Sequence, residues 1–135
     1  MSYEITENPL RGVEAYPGSG HYGVYDHGAH VWTWQPDGQK PVLWMSAKSV
    51  FEAGQPIRGG VPVIFPWFGT GPKGTLKPAH GFARFHVWNR YYVDDTIDTD
   101  GRLVSEYQID RTKISSQPDF PYAFIAFLCV IFTPE

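Results

Sequence analysis

Read for alternation, the chain breaks into short extended segments separated by turn residues. From Ala29 to Gln35 polar and apolar positions alternate, with Val31, Thr33 and Gln35 on one face and Trp32 and Trp34 on the other. Pro36-Asp37-Gly38 follows as a turn: Pro presets φ and Gly accepts a positive φ. Val42 to Met45 then predicts the returning strand of the clearest hairpin in the chain. His21 to Tyr25 predicts another short strand, closed by a turn at Asp26-His27-Gly28. Met1 to Gly20 is weakly patterned, and Pro17, Gly18 and Gly20 break any element there. Ala47 to Phe51 predicts one helical turn.

Val61 to Phe68 is apolar, but Pro62 and Pro66 interrupt it, which predicts an edge strand or an irregular wall. Thr70 to Ala79 reads as a loop carrying Lys73 and Lys77. Phe85 to Val93 predicts a strand, Asp94 to Asp100 an acidic turn ending at Gly101, and Arg102 to Ile109 the return strand. Asp110 to Asp119 is a polar connection. Phe120 to Phe132 predicts the last strand, apolar on both faces: Phe124, Ala126, Leu128, Val130 and Phe132 on one, Ala123, Ile125, Phe127, Cys129 and Ile131 on the other. Such a strand is normally covered on both sides, yet no later segment here covers its outer face or pairs with its edge. That predicts a fragment of a larger sandwich or a partner that supplies the missing layer.

Composition narrows the classes. The chain has 135 residues, which suits residues 1–135 forming a single domain. With 14 Gly and 12 Pro, short strands and turns are favoured over helices. A net charge of -3 argues against general binding to nucleic acid or to an acidic membrane surface, so anion recognition must be local. The run from Tyr122 to Phe132 is too short to span a bilayer as a helix. The amino terminus is polar and acidic without a signal-peptide pattern, and the single cysteine, Cys129, is expected to be buried and inert; a reducing cytoplasm is the expected location.

The candidate chemistry concentrates between Pro56 and Arg84. Arg58 precedes Gly59-Gly60, where backbone N–H groups can approach a ligand and the guanidinium can fork onto a phosphate or sugar hydroxyls. A surface arginine before a turn would have the same sequence. His80 opens His80-Gly81-Phe82-Ala83-Arg84, a histidine able to act as acid or base beside a glycine that leaves room for a ligand. Arg84 can reach the same ligand or pair with a carboxylate of the scaffold. Trp67 and Phe68 can offer a flat apolar wall to a sugar ring, or simply fill the core. His27 and His30 have a spacing found in metal sites, but no cysteine or acidic cluster completes a set, so no metal is expected.

These pieces resemble a known family. Gly28-Ala29-His30-Val31, Pro41-Val42-Leu43-Trp44-Met45-Ser46, Pro56-Ile57-Arg58-Gly59-Gly60-Val61-Pro62, Phe65-Pro66-Trp67-Phe68-Gly69, His80-Gly81-Phe82-Ala83-Arg84 with Trp88, and Phe120-Pro121-Tyr122 stand in the order and spacing of the hexose-6-phosphate mutarotases, or glucose-6-phosphate 1-epimerases, relatives of aldose 1-epimerase. The resemblance implies an all-β, galactose-mutarotase-like antiparallel β-sandwich, of which this chain would be the first half. It implies interconversion of the α and β anomers of a hexose 6-phosphate or other aldose, without metal or organic cofactor. It implies that Arg58 and Arg84 bind phosphate or sugar, and that His80 acts at the ring oxygen. The family's catalytic glutamate, a second histidine and an aspartate have no counterpart here; Glu52, Glu106, Asp110 and Glu135 match none of them. Alternatives are a non-catalytic sugar-phosphate binding module, or a remnant of the fold that pairs with a copy of itself as a homodimer through Phe120 to Phe132.

Overall fold

The computed structural model describes residues 3–135; Met1 and Ser2, the start of the polar amino terminus, lie outside the described residues. The chain forms an antiparallel β-sandwich. The first sheet has the order β1 (Tyr3–Thr6), β2 (Gly12–Ala15), β3 (His21–Tyr25), β4 (His30–Gln35). The second has the order β5 (Asn89–Asp95), β6 (Leu103–Asp110), β7 (Ile125–Phe132). Between them, residues 36–88 hold no ladder of strands, only isolated bridges and a short 3-10 turn at Ala83–Phe85. Among the described residues, no helix is long and apolar enough to cross a membrane.

The core lies where the sheets face each other. Val13, Ala15, Tyr22 and Val24 of the first sheet meet Leu103, Tyr107, Ile109 and Phe132 of the second. Each fully buried aliphatic side chain of this size is worth about 1.5–3 kcal/mol of transfer free energy. The period of two is visible in β6: Leu103, Ser105, Tyr107 and Ile109 are buried, and their neighbours are half-exposed. The sheets are tied as well as packed. The Tyr22 ring stacks on Phe132 at 5.0 Å, its hydroxyl donates to the Gly101 carbonyl at 2.9 Å, and the Trp34 indole donates to the Thr133 carbonyl at 3.1 Å.

Several expectations need correction. β4 pairs with β3, so the hairpin is His21–Gln35, not Ala29–Met45. Val42 to Met45 makes single contacts, Val42 N–H to the Trp34 carbonyl at 2.9 Å and a bridge from Met45 to Gly59, because its path is drawn toward the glycine pair. A register shift between Gly23 and Val24 puts one extra residue into β4. Val31 and Trp34 therefore both pack against the core, whereas Trp32 lies on the other side, stacked on Tyr25. Strict alternation could not foresee a bulge. The weakly patterned amino-terminal segment forms β1 and β2, whose short length hid them. Ala47–Phe51 holds a turn, not a helix. β5 begins at Asn89 because Ala83–Phe85 curls into the 3-10 turn.

β7 is an edge strand, as anticipated. Ala126, Leu128, Val130 and Phe132 face the core, while Ile125 and Phe127 are 61% and 65% exposed. Cys129 shares this outer face and is exposed, contrary to the expectation of burial, because among the described residues no second layer covers that face.

Candidate functional site

The lip of the site is assembled by loops that the first sheet anchors. Arg58 is exposed, but its backbone is clamped: its carbonyl accepts from Ser46 N–H at 3.0 Å and Ser49 Oγ at 2.7 Å, and its N–H donates to Ser49 Oγ at 3.3 Å. Gly60 N–H donates to the Trp44 carbonyl at 2.8 Å, and a Cβ at Gly60 would stand 2.2 Å from the Val31 carbonyl oxygen, so only glycine lets the loop lie against β4. The two histidines at metal-like spacing have another use. His27 Nε2 is bonded to the Gln55 carbonyl and His30 Nε2 to the Gly59 carbonyl, each at 2.6 Å, fastening the loop that carries Arg58.

Burial depresses the His30 pKa below its ordinary value, against the pull of the Gly59 bond, and burial lowers His86 too. Both are neutral in the folded chain where the unfolded chain would bind a proton, so their contribution is lost as pH falls through the ordinary value of 6.5 toward the folded values. The urea midpoint is therefore expected to drop between pH 7.5 and pH 5.5; a flat or rising midpoint would show that these rings do not govern stability in that window.

His80 is held in an uncommon backbone conformation, with φ +66°, followed by Gly81 at φ +76°. The turn brings the ring back onto the preceding loop. His80 N–H donates to the Gly69 carbonyl at 2.7 Å, and Gly69 N–H donates to His80 Nδ1 at 3.0 Å. Because Nδ1 accepts, the neutral ring carries its proton on Nε2, free to donate to a ligand oxygen. Phe68 meets the His80 ring edge-on at 5.0 Å and is 76% exposed, so it presents a face to solvent beside that N–H. Trp67 is placed otherwise than a ligand wall would require. It is 9% exposed, packs edge-on against Phe82 and donates its indole N–H to the Pro78 carbonyl at 2.9 Å. It supports the lip from within the core.

Arg84 reaches back to the same loop, its Nη2 donating to the Ala79 carbonyl at 2.9 Å, next to His80. Its Nε is buried without a partner. Burial disfavours its charged form, and the neighbouring Arg58 charge adds to this. Among the described residues, no carboxylate forms an ion pair with Arg58 or Arg84. Two close cations without a counter-charge attract an anion. Arg58, Arg84, His80 and Phe68 are thus accounted for as a cationic lip with an N–H donor and an exposed ring. The carbonyl-binding roles of His27 and His30 were not legible, since their partners are backbone atoms 28 and 29 residues away.

The family described as aldose 1-epimerase matches residues 17–134. An Escherichia coli protein described as "Putative glucose-6-phosphate 1-epimerase" is 52% identical over 93 residues, 69% of this chain and 31% of that protein. A Haemophilus influenzae protein of the same description is 39% identical over 80 residues, 57% of this chain and 28% of that protein. The solved structure of "a putative mutarotase (YeaD)" from Salmonella typhimurium superposes with a TM-score of 0.77 at 25% identity, over 95% of this chain and 42% of that one. The structure of HI1317 superposes with a TM-score of 0.72 at 24% identity, over 98% of this chain and 48% of that one, and speaks for the fold alone. The chain thus spans less than half the length of each of these relatives. With the family matched over most of its length and the fold shared with solved relatives, this chain belongs to the aldose 1-epimerase family.

Proposed function

We propose that this chain carries the phosphate-holding and acid side of a site that interconverts the α and β anomers of a hexose 6-phosphate. The observation that carries this reading is the pair Arg58 and Arg84, without a carboxylate partner, beside a His80 whose Nε2 bears the proton. The arginines hold the phosphate, and Phe68 packs on the C–H face of the sugar. His80 donates a hydrogen bond from Nε2–H to the ring oxygen while a base removes the C1 hydroxyl proton. The C1–O5 bond breaks, an open-chain aldehyde forms, and C1–C2 rotation followed by reclosure yields the other anomer. The Nε2–H bond holds the negative charge on O5 in the open form, and on reclosure the base returns its proton to the C1 oxygen, so the balance closes without a cofactor. Among the described residues, His80 Nδ1 is bonded to the Gly69 N–H and not to a carboxylate. The single cysteine agrees with a reducing cytoplasm as the setting of the reaction.

Exchange NMR of glucose 6-phosphate anomers tests the proposal. Acceleration above the buffer rate is expected, reduced about 10²–10⁴-fold in His80→Ala, the range typical of one acid–base group. Saturable binding without acceleration would instead identify a non-catalytic sugar-phosphate module.

A second reading concerns assembly, and rests on the exposed apolar face and free edge of β7. Pairing with a second copy through this strand would cover both. Light scattering is expected to find a dimer that Phe127→Lys converts to monomer; a wild-type monomer would dismiss self-pairing.

A further inference from the structure

One cavity of the molecule shares no residue with Arg58, Phe68, His80 or Arg84. It has a volume of about 700 Å³ and lies among the ends of β3, β5 and β6 and the loop before β2. That volume falls within the roughly 300–1,000 Å³ of small-molecule sites. Two of the residues that line it form a buried ion pair: Asp26 Oδ2 stands 3.5 Å from Arg90 Nη2, and the side chains are 8% and 9% exposed. The pair is only half satisfied. Asp26 Oδ1 and Arg90 Nη1 are both buried without a hydrogen-bond partner. Orphaned polar atoms of this kind cost about 1–3 kcal/mol each, and here the ion pair leaves over one acceptor and one donor.

The remaining wall decides what can bind. Its cations are each matched: Arg90 by Asp26, Arg11 by Glu7 at 3.4 Å, and Lys113 by the charge of nearby Asp110. A free anion would meet the Asp26 carboxylate, and a cation would meet Arg90. A neutral group that both donates and accepts suits the pair. Asn89 and Gln108, register partners on β5 and β6, add two neutral amides to the same wall. Each amide again offers one donor and one acceptor function.

We propose that this cavity is a second binding site, for a neutral polyhydroxylated ligand such as an unphosphorylated sugar, anchored on Asp26 and Arg90 and lined by the Asn89 and Gln108 amides. One hydroxyl can donate to Asp26 and accept from Arg90 at once. The site is separate from the phosphate-holding lip and does not depend on the reading of that lip.

Titration of ¹⁵N-labelled chain with D-glucose tests it. Saturable shifts are expected at the amides of Asn89, Arg90 and Gln108 and at the Arg90 guanidinium, with an affinity of roughly millimolar order. The double variant Asn89→Ala, Gln108→Ala should weaken this binding about tenfold, the loss expected for removing two hydrogen bonds of ordinary net strength. Its thermal midpoint and its response to glucose 6-phosphate at residues 58–84 should remain those of the parent. Shifts that do not saturate, shifts confined to residues 58–84, or displacement of glucose from residues 89–108 by inorganic phosphate would each overturn the proposal.

Discussion

Gly81→Ala is expected to destabilise the fold by about 3 kcal/mol or more and to detach His80 from the site. The left-handed conformation at Gly81 alone costs an L-residue about 1–2 kcal/mol. Steric contact costs more. A Cβ at this position would stand 2.0 Å from the Phe65 carbonyl oxygen, a backbone atom that cannot swing aside. That oxygen also accepts from Phe82 N–H at 3.0 Å and Ala83 N–H at 3.2 Å. Pushing it away loosens both bonds, each worth about 1 kcal/mol, and disturbs the packing of Phe65 on Phe82, Phe120 and Phe124. Gly38→Ala is the control. Gly38 has φ +71° but no atom within 4 Å of its Cβ position, so only the conformational part, about 1 kcal/mol, should appear. Urea unfolding of both variants measures the difference, and glucose 6-phosphate titration reports the lip. Equal costs for the two would mean that the His80 turn does not lie against Phe65.

The lip was legible in the sequence because its residues cluster: Arg58, His80 and Arg84 stand in a stretch too rich in glycine and proline for regular structure. Glycines at 59, 60 and 81 read as room for a ligand; all three have positive φ, and a Cβ at each would meet the chain's own carbonyls of Trp44, Val31 and Phe65. β6 was legible because a period of two survives where one face is buried, and β7 because its apolar run is unbroken on both faces. What was hidden depends on partners far away in the chain. Trp32 and Trp34 part company through a bulge whose cause lies in the pairing of β4 with β3. Trp67 reads like Phe68 in sequence, but only Trp67 finds Phe82 and the Pro78 carbonyl. His27 and His30 choose backbone carbonyls, which no side-chain pattern marks. Cys129 was misjudged for a related reason: apolar neighbours suggested burial, but β7 has no layer over its outer face.

Asp26→Ala is expected to cost about 3–5 kcal/mol, the range for removing one partner of a buried ion pair. Arg90 is 9% exposed and already keeps one nitrogen unpartnered, so losing Asp26 would leave a buried charge with no counter-charge. The loss should be specific to the broken pair. Replacing both residues, Asp26→Leu with Arg90→Met, removes both charges and should recover most of the stability lost in the single variant. The pH dependence supplies an independent sign. Burial raises the Asp26 pKa despite the lowering effect of Arg90. The folded chain then holds this proton more tightly than the unfolded chain, so stability through this group falls as pH rises from the ordinary 3.8 through the folded value. Asp26→Asn, which cannot ionise, should lose that slope. Urea midpoints of the parent, both single variants and the double variant across this range provide the measurement. If Asp26→Ala costs no more than the double variant, the pair contributes nothing as a pair, and the orphaned atoms beneath the cavity are not held by their mutual charge.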